Sequence, residues 1–237
     1  MFSRFKFVFT FLLMLSSIIA AQDLQTVIGK YYDAVGMDKI KEIKSVKTVS
    51  DLKQMGMDLV VTEMKKRPSY HKSIAEVNGA RIISVYNGIT AWMINPMTGS
   101  TAPVDVQGEE LIRLKYQATI EGLFYAYQKD ENVKTEYIGE VKLDNKSYES
   151  VKFTLPTGDD VQVFISKETW YIDKVILSQS MGGQKMSSTI KLGNHTKTDG
   201  MVFPYSAEVT VNGQPMFSSK VRTIEFNLDI PDSEFSK

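Results

Sequence analysis

The chain has few residues of the types that carry covalent or metal chemistry. It contains no cysteine and two histidines, His71 and His195, so a thiolate nucleophile and a zinc–thiolate site are excluded. The histidines lie in different predicted strands without a third ligand at a metal-binding spacing, which favours structural roles. No H-E-x-x-H, G-x-S-x-G or phosphate-cradling glycine loop occurs. We therefore expect a protein without catalysis, cofactor or metal; an enzyme would need an unfamiliar arrangement of serine, lysine or carboxylates.

The N-terminus has the layout of a secretory signal peptide. Arg4 and Lys6 precede an apolar run over residues 7–15, and small residues follow up to Ala20-Ala21. The apolar run is shorter than the roughly 18 to 20 residues that a membrane-spanning helix needs. We expect cleavage near Ala20-Ala21 and a periplasmic protein.

The remaining chain, residues 22–237, is predicted to form a single domain. It carries two more acidic than basic residues, which is unlike the clustered positive charge of nucleic-acid-binding proteins. Without cysteine it has neither disulfides nor a thioether-linked lipid anchor. The core must stabilise the fold alone, and we expect a monomer.

Helical periodicity occurs in three short stretches. Apolar residues recur at helical spacing from Asp23 to Val35, where Gly36 is expected to end the helix. A shorter helical turn follows over residues 38–43. The third stretch, residues 108–127, is strongly apolar, and Gly122 is expected to break it.

Period-two alternation covers most of the rest and predicts about 11–12 strands. Five strands precede the third helical stretch and seven follow it, separated by turn pairs such as Asn78-Gly79 and Gly182-Gly183. So many antiparallel strands cannot stay flat, so the sheet should curl.

Two hairpins allow the faces of the sheet to be followed. Tight turns at Asn78-Gly79 and Asn87-Gly88 would pair Ser84 with Ala91 and Tyr86 with Ile89. One face then has small and apolar residues; the other carries Trp92 and should pack against an outer layer. The first face has two equal interpretations, because small side chains fit either a roomy apolar cavity or close packing of a helix.

Four motifs resemble the LolA/LolB-like family of periplasmic lipoprotein-localisation factors. They are "KKRP" at 65–68, "NGITAWMINP" at 87–96, "TKTDGMVFPYSAEV" at 196–209 and "IEFNLDIPDSEF" at 224–235. In the family, a K-R-P precedes a D-G-x-x-x-W-x-x-N-P hairpin, and Asn87 stands here in place of the Asp. The last two motifs are similar to the outer-membrane lipoprotein-sorting-like branch.

The resemblance implies a mainly β (α+β) fold, an incomplete antiparallel barrel whose concave apolar face is covered by a helical lid. It implies that Arg67 latches the closed lid by hydrogen bonds. The lid would present Leu111, Leu114, Ile120 and Phe124 to the cavity. With the face followed above, the predicted cavity residues are His71, Ala75, Val77, Ile82, Tyr86, Ile89, Ala91 and Met93.

The function expected from this resemblance is non-catalytic transport. The protein would bind the acyl chains of a lipoprotein or lipid, receive them from an inner-membrane donor and pass them to an outer-membrane acceptor. The alternative is a LolA-like sensor or protein-binding module of the cell envelope, with a collapsed interior and an exposed interaction patch. Asn87 and the additional C-terminal strands distinguish this chain from the shorter carriers of the family. The specific cargo, lipoprotein or another lipid, therefore stays open.

Overall fold

Alternating side chains and short turns build one wide antiparallel sheet in the computed structural model. The structure describes residues 23–54, 56–181 and 184–237. The predicted signal peptide and the predicted Gly182-Gly183 turn lie outside these residues. Asn78 and Gly79 have positive φ angles of 49° and 80°, as the predicted tight turn requires.

The sheet has 13 strands in the order β6-β5-β4-β3-β2-β1-β13-β12-β11-β10-β9-β8-β7. Their bounds are β1 (Ser45–Gln54), β2 (Met57–Lys66), β3 (Tyr70–Val77), β4 (Ala80–Asn87), β5 (Ala91–Asn95), β6 (Ser100–Val106), β7 (Lys134–Leu143), β8 (Lys146–Thr154), β9 (Asp160–Ser166), β10 (Ile172–Met181), β11 (Gln184–Thr198), β12 (Met201–Val211) and β13 (Gln214–Phe226). The edge strands β6 and β7 do not pair with each other, so the curled sheet stays open. The predicted incomplete barrel is confirmed.

The sequence interpretation missed strand β6. This strand contains Pro103, which cannot donate a ladder hydrogen bond, and five of its seven residues are exposed. Proline is tolerated there because β6 is an edge strand. Its sequence therefore lacks the apolar alternation that identified the other strands.

In the described residues four α-helices accompany the sheet: α1 (23–35), α2 (Met37–Glu42), α3 (Gly108–Gln117) and α4 (Leu123–Lys129). Gly36 ends α1 with a φ of 71°, and a Cβ at this position would collide with the carbonyl oxygen of Gly200. Only glycine satisfies both constraints. We call residues 108–129 the lid and residues 118–122, which join α3 to α4, the lid loop. The face of the sheet that carries the helices is called the concave face.

The β4–β5 hairpin has a different register from the predicted one. Ser84 pairs with Met93 and Tyr86 with Ala91, a shift of two residues. Gly88, with a φ of 91°, and Ile89 form the turn, because glycine takes the first central position of a type II′ turn more readily than Asn87. A shift of two preserves the faces, but it places Ile89 at the turn tip, where it is 82% exposed.

The opposite, convex face of β3–β5 is covered by the C-terminal strap, residues 227–237. Phe235 is 1% exposed and stacks on Tyr70 with ring centroids 5.1 Å apart. Ile230 and Phe235 form one buried cluster with Val85 and Trp92. The strap is also tied by an ion pair between Lys72 and Glu234, whose nearest atoms are 2.7 Å apart. This segment is the outer layer expected against Trp92.

Candidate functional site

The concave face of β4–β5 is filled by the lid. Tyr86 and Ala91 form a buried cluster with Leu114 and Ala118, and Met93 and Leu111 pack against it. Ala91 and Ala118 are each 1% exposed, so the small side chains allow the helical segment to approach the strands closely. Of the two interpretations that the sequence left equal, close helix packing is the one found here.

An apolar cavity of about 360 Å³ lies over the other half of the sheet, between β9–β12 and the helices. Its lining residues are Tyr31, Val35, Ile40, Ile120, Glu121, Gly122, Leu123, Phe124, Tyr127, Val161, Val163, Tyr171, Ile172, Val175, Leu177, Ile190, Leu192, His195, Val202, Phe203 and Pro204. This volume is in the lower part of the range of about 300–1,000 Å³ for small-molecule sites.

None of the eight residues predicted to line the cavity contributes to this one. His71, Val77, Tyr86 and Ala91 are buried elsewhere. Ala75 pairs with Ile82 across β3 and β4, Met93 packs against the α3 cluster, and Ile89 is exposed.

The predicted lid residues divide between the two halves of the sheet. Ile120 and Phe124 line the cavity, whereas Leu111 and Leu114 contact the filled half.

Aromatic side chains pack the helices onto the sheet beside the cavity. Phe124 packs edge-on against Tyr31, at a centroid distance of 4.9 Å, and against Phe153 at 5.3 Å. Such T-shaped contacts are the favoured geometry for aromatic pairs. Tyr31 and Phe124 also line the cavity, so these rings form part of its wall on the side of the helices.

The polar groups of the cavity are few. Burial raises the pKa of Tyr127 to about 12 and that of Tyr31 well above its usual value, so both phenols stay neutral. The Nε2 atom of His195 lies 3.1 Å from the carbonyl oxygen of Ile172, and the ring lies 5.0 Å from that of Tyr171. A lining of this kind suits a hydrocarbon chain.

Arg67 connects the end of β2 to α2 and to the lid loop. Its Nε donates to the carbonyl oxygen of Ile43 at 2.7 Å, and its Nη2 donates to the carbonyl oxygen of Ile40 at 3.3 Å. Nη2 also donates to Glu121 Oε1 at 2.9 Å. The Glu121 side chain is 6% exposed and that of Arg67 is 34% exposed, so the carboxylate is shielded from water while the guanidinium reaches the surface. The sequence analysis did not single out Glu121. The feature that could have identified it is a charged residue next to Gly122 within the mostly apolar residues 118–127.

Lys65, His71 and Glu63 adjoin Arg67 on the sheet. Lys65 Nζ donates to the carbonyl oxygen of Thr119 in the lid loop at 3.3 Å, and burial lowers its pKa. His71 pairs with Lys65 across β2 and β3 and is 1% exposed. In the described part of the chain neither of its ring nitrogens has a hydrogen-bond partner; Glu63 Oε1 lies 3.6 Å from Nε2. His71 is therefore buried, as expected of a structural histidine, but its ring nitrogens lack hydrogen-bond partners in the described residues.

Residues 23–54, 56–181 and 184–237 include no group of three or more histidines and acids placed to hold a metal ion. None of their helices is long and apolar enough to cross a bilayer.

Comparison with known proteins identifies the fold. No protein-family model matches the chain, and no curated protein sequence matches it. Among solved structures, it is similar to a DUF1329 family protein from Desulfovibrio piger, with 13% identity, coverage of 89% of this chain and 97% of that one, and a TM-score of 0.59.

Two further structures agree with this fold. A LolA superfamily protein from Nitrosomonas europaea is 12% identical over 90% of this chain and 97% of its own, with a TM-score of 0.58. A putative outer membrane lipoprotein-sorting protein domain from Vibrio parahaemolyticus is 11% identical over 84% of this chain and 94% of its own, with a TM-score of 0.55. The chain therefore has a LolA-like fold, as its motifs predict.

Proposed function

We propose that this protein is a non-catalytic carrier of the cell envelope that binds an acyl chain of a lipoprotein or lipid in the cavity over β9–β12. The single observation that carries the proposal is an unfilled apolar space of about 360 Å³ between the sheet and a helical lid. A space of this size suits one acyl chain better than several. The predicted signal peptide supports a periplasmic location, and the similarity to a lipoprotein-sorting domain supports transfer towards the outer membrane.

The lid provides a way for cargo to leave. Each buried CH₂ group contributes about 0.8 kcal/mol, so a long chain in a rigid cavity would dissociate slowly. If the lid moves, Ile120 and Phe124, which line the cavity, take up part of the apolar surface that the cargo leaves. Cargo and lid then exchange with a small net change in free energy.

Arg67 is the proposed latch of the closed lid. Its hydrogen bond to Glu121 holds the lid loop, and its bonds to the carbonyl oxygens of Ile40 and Ile43 fix the guanidinium in place. A hydrogen bond to a charged group contributes about 1.5–3 kcal/mol, which is enough to shift the exchange. We expect Arg67→Leu to retain an uncharged cargo longer than wild type, as measured by transfer of a bound fluorescent monoacylglycerol, which has no acidic group for Arg67, to vesicles. Unchanged transfer would exclude the latch.

Purification with the natural leader tests the carrier proposal. The protein is isolated from the periplasm without detergent, extracted with organic solvent and analysed for lipids by mass spectrometry. A stoichiometric acyl lipid or lipopeptide is the expected result. A clean extract, repeated after incubation with lipid vesicles, would instead favour a protein-binding module of the envelope.

A matched pair of variants assigns binding to the cavity. Ile190 lines the cavity, whereas Ile138 on β7 is 44% exposed. We expect Ile190→Trp to fill the space and lose fluorescent fatty-acid binding, and Ile138→Trp to bind as wild type. Equal binding by both variants would place the ligand elsewhere.

A further inference from the structure

The lid loop separates the apolar cavity from the basic residues of β2. On one side, Ile120, Glu121 and Gly122 line the cavity. On the other side, the Thr119 carbonyl oxygen and the Glu121 carboxylate accept hydrogen bonds from Lys65 and Arg67. The loop therefore presents an apolar side chain to the cavity and an anionic group to Arg67.

This arrangement has the chemistry of an amphiphile with an acidic head. Ile120 and Phe124 occupy the position of the hydrocarbon, and Glu121 occupies that of the head. A carboxylate is unusual in the lining of an apolar cavity, because burial of a charge is costly unless the charge is paired. Glu121 meets that condition through Arg67, with its side chain 6% exposed.

The basic side retains unused hydrogen-bonding capacity. Lys65 has a carbonyl oxygen as its partner and, among the described residues, no carboxylate within ion-pair distance. His71, its cross-strand neighbour, has two ring nitrogens without hydrogen-bond partners in the part of the chain that the structure describes. Removal of Glu121 from Arg67 would leave Lys65 and Arg67 facing Glu63 alone, and an anion would restore the balance.

We propose that the cargo is an anionic single-chain amphiphile, whose carboxylate or phosphate group replaces Glu121 on Arg67 and Lys65 while its chain enters the cavity. This inference rests on the proposed function and specifies its substrate class. Glu121 and Ile120 then act as an internal competitor that is displaced when cargo binds.

Two lipids that differ by one group test this inference. Palmitoyl lysophosphatidic acid and monopalmitoylglycerol share the chain and the glycerol, and only the former carries a phosphate. We expect wild-type protein to bind the lysophosphatidic acid several-fold tighter, since its phosphate takes over the Arg67 hydrogen bond of Glu121 and adds one to Lys65, which has a carbonyl oxygen as its partner. Palmitate should also compete, because a carboxylate can replace that of Glu121. Inorganic phosphate alone should not compete, because the chain provides most of the affinity.

Variants separate head recognition from general loosening of the lid. Glu121→Gln should tighten the lysophosphatidic acid several-fold more than the monopalmitoylglycerol, because it frees Arg67 without changing the size of the side chain. Lys65→Gln should reduce the difference between the two lipids. Glu110→Gln is the matched control: Glu110 lies on α3, pairs with Arg113 and does not line the cavity, so both affinities should stay as in wild type.

The failures of the two proposals differ. If neither lipid binds wild-type protein, the carrier proposal itself fails. If both lipids bind equally, or Glu121→Gln tightens both by the same factor, the carrier stands and the anionic head group is excluded. Competition by inorganic phosphate at the affinity of the lipid would indicate a phosphate site independent of the chain, and would overturn the inference.

Discussion

The two halves of the concave face differ in the size of their side chains and in whether the helices fill the space above them. Over β4–β5 the strands present residues such as Ala91, and the lid packs onto them without a gap. Over β9–β12 they present Val175, Ile190 and Leu192, yet this half contains the cavity. Small side chains on a sheet thus indicate where a helix approaches closely. In the other half bulky groups line the cavity without filling it, and Phe124, between Tyr31 and Phe153, forms part of its wall.

Truncation in the filled half should have the largest effect. Leu114 is 3% exposed in the α3 cluster, so we expect Leu114→Ala to lower the free energy of unfolding by about 2–5 kcal/mol. Leu123→Ala is the matched control on the cavity side of the lid, where the side chain is 43% exposed; its cost should stay under about 1 kcal/mol. Urea denaturation measures both free energies of unfolding. Equal losses in the two variants would contradict the proposed difference in packing between the two halves.

Substitution by a larger side chain should have the next largest effect, and only in the filled half. Ala91 is 1% exposed and lies in one buried cluster with Leu114 and Ala118, so Ala91→Leu should destabilise by about 1–3 kcal/mol. Leu192→Phe enlarges a residue that lines the cavity and should leave the thermal midpoint unchanged or slightly raised, while it weakens fatty-acid binding. If Leu192→Phe destabilised as much as Ala91→Leu, the space beside Leu192 would not be available.

Ionisable groups give the smallest contrast, with opposite signs in the two halves. Burial raises the pKa of Asp173, which lies 3.9 Å from His195, so its ionised form weakens the fold as the pH rises through that pKa. His71 lowers the pKa of Glu63, so the ionised form of Glu63 stabilises the fold, and this contribution is lost as the pH falls through the folded-state pKa.

At pH 7 we expect Asp173→Asn to raise the free energy of unfolding and Glu63→Gln to lower it, each by less than about 1 kcal/mol because both groups are partly exposed. Both differences should shrink as the pH approaches about 3, where the carboxylates take up protons. Urea midpoints at the two pH values measure this. Effects of the same sign at pH 7 would contradict the assignment.

The sequence predicts the fold better than the site, for identifiable reasons. Alternation and turn pairs such as Asn78-Gly79 give the curled sheet directly, because both are local signals. The β4–β5 register depends on whether Asn87 or Gly88 starts the turn, and β6 is obscured by Pro103, so these two features are missed.

The eight residues predicted to line a cavity lie on β3–β5 or in the β4–β5 turn and not beside the cavity over β9–β12, because small side chains fit close helix packing as well as open space. Whether Leu192 lies in a packed core or beside a void depends on how Phe124 and Tyr31 meet from distant parts of the chain, which no local pattern encodes. The motif resemblance singles out Arg67. Its partner Glu121 is found only in the folded structure.

Photo-crosslinking tests the central claim most directly. Wild-type protein is incubated with palmitate that carries a diazirine at mid-chain, irradiated, digested and analysed by mass spectrometry. The account predicts labels on β10, β11 and the lid around Ile120 and Phe124, and their loss in Ile190→Trp. Labels on β3–β5, or labels that persist in Ile190→Trp, would contradict the assignment of the acyl chain to this cavity.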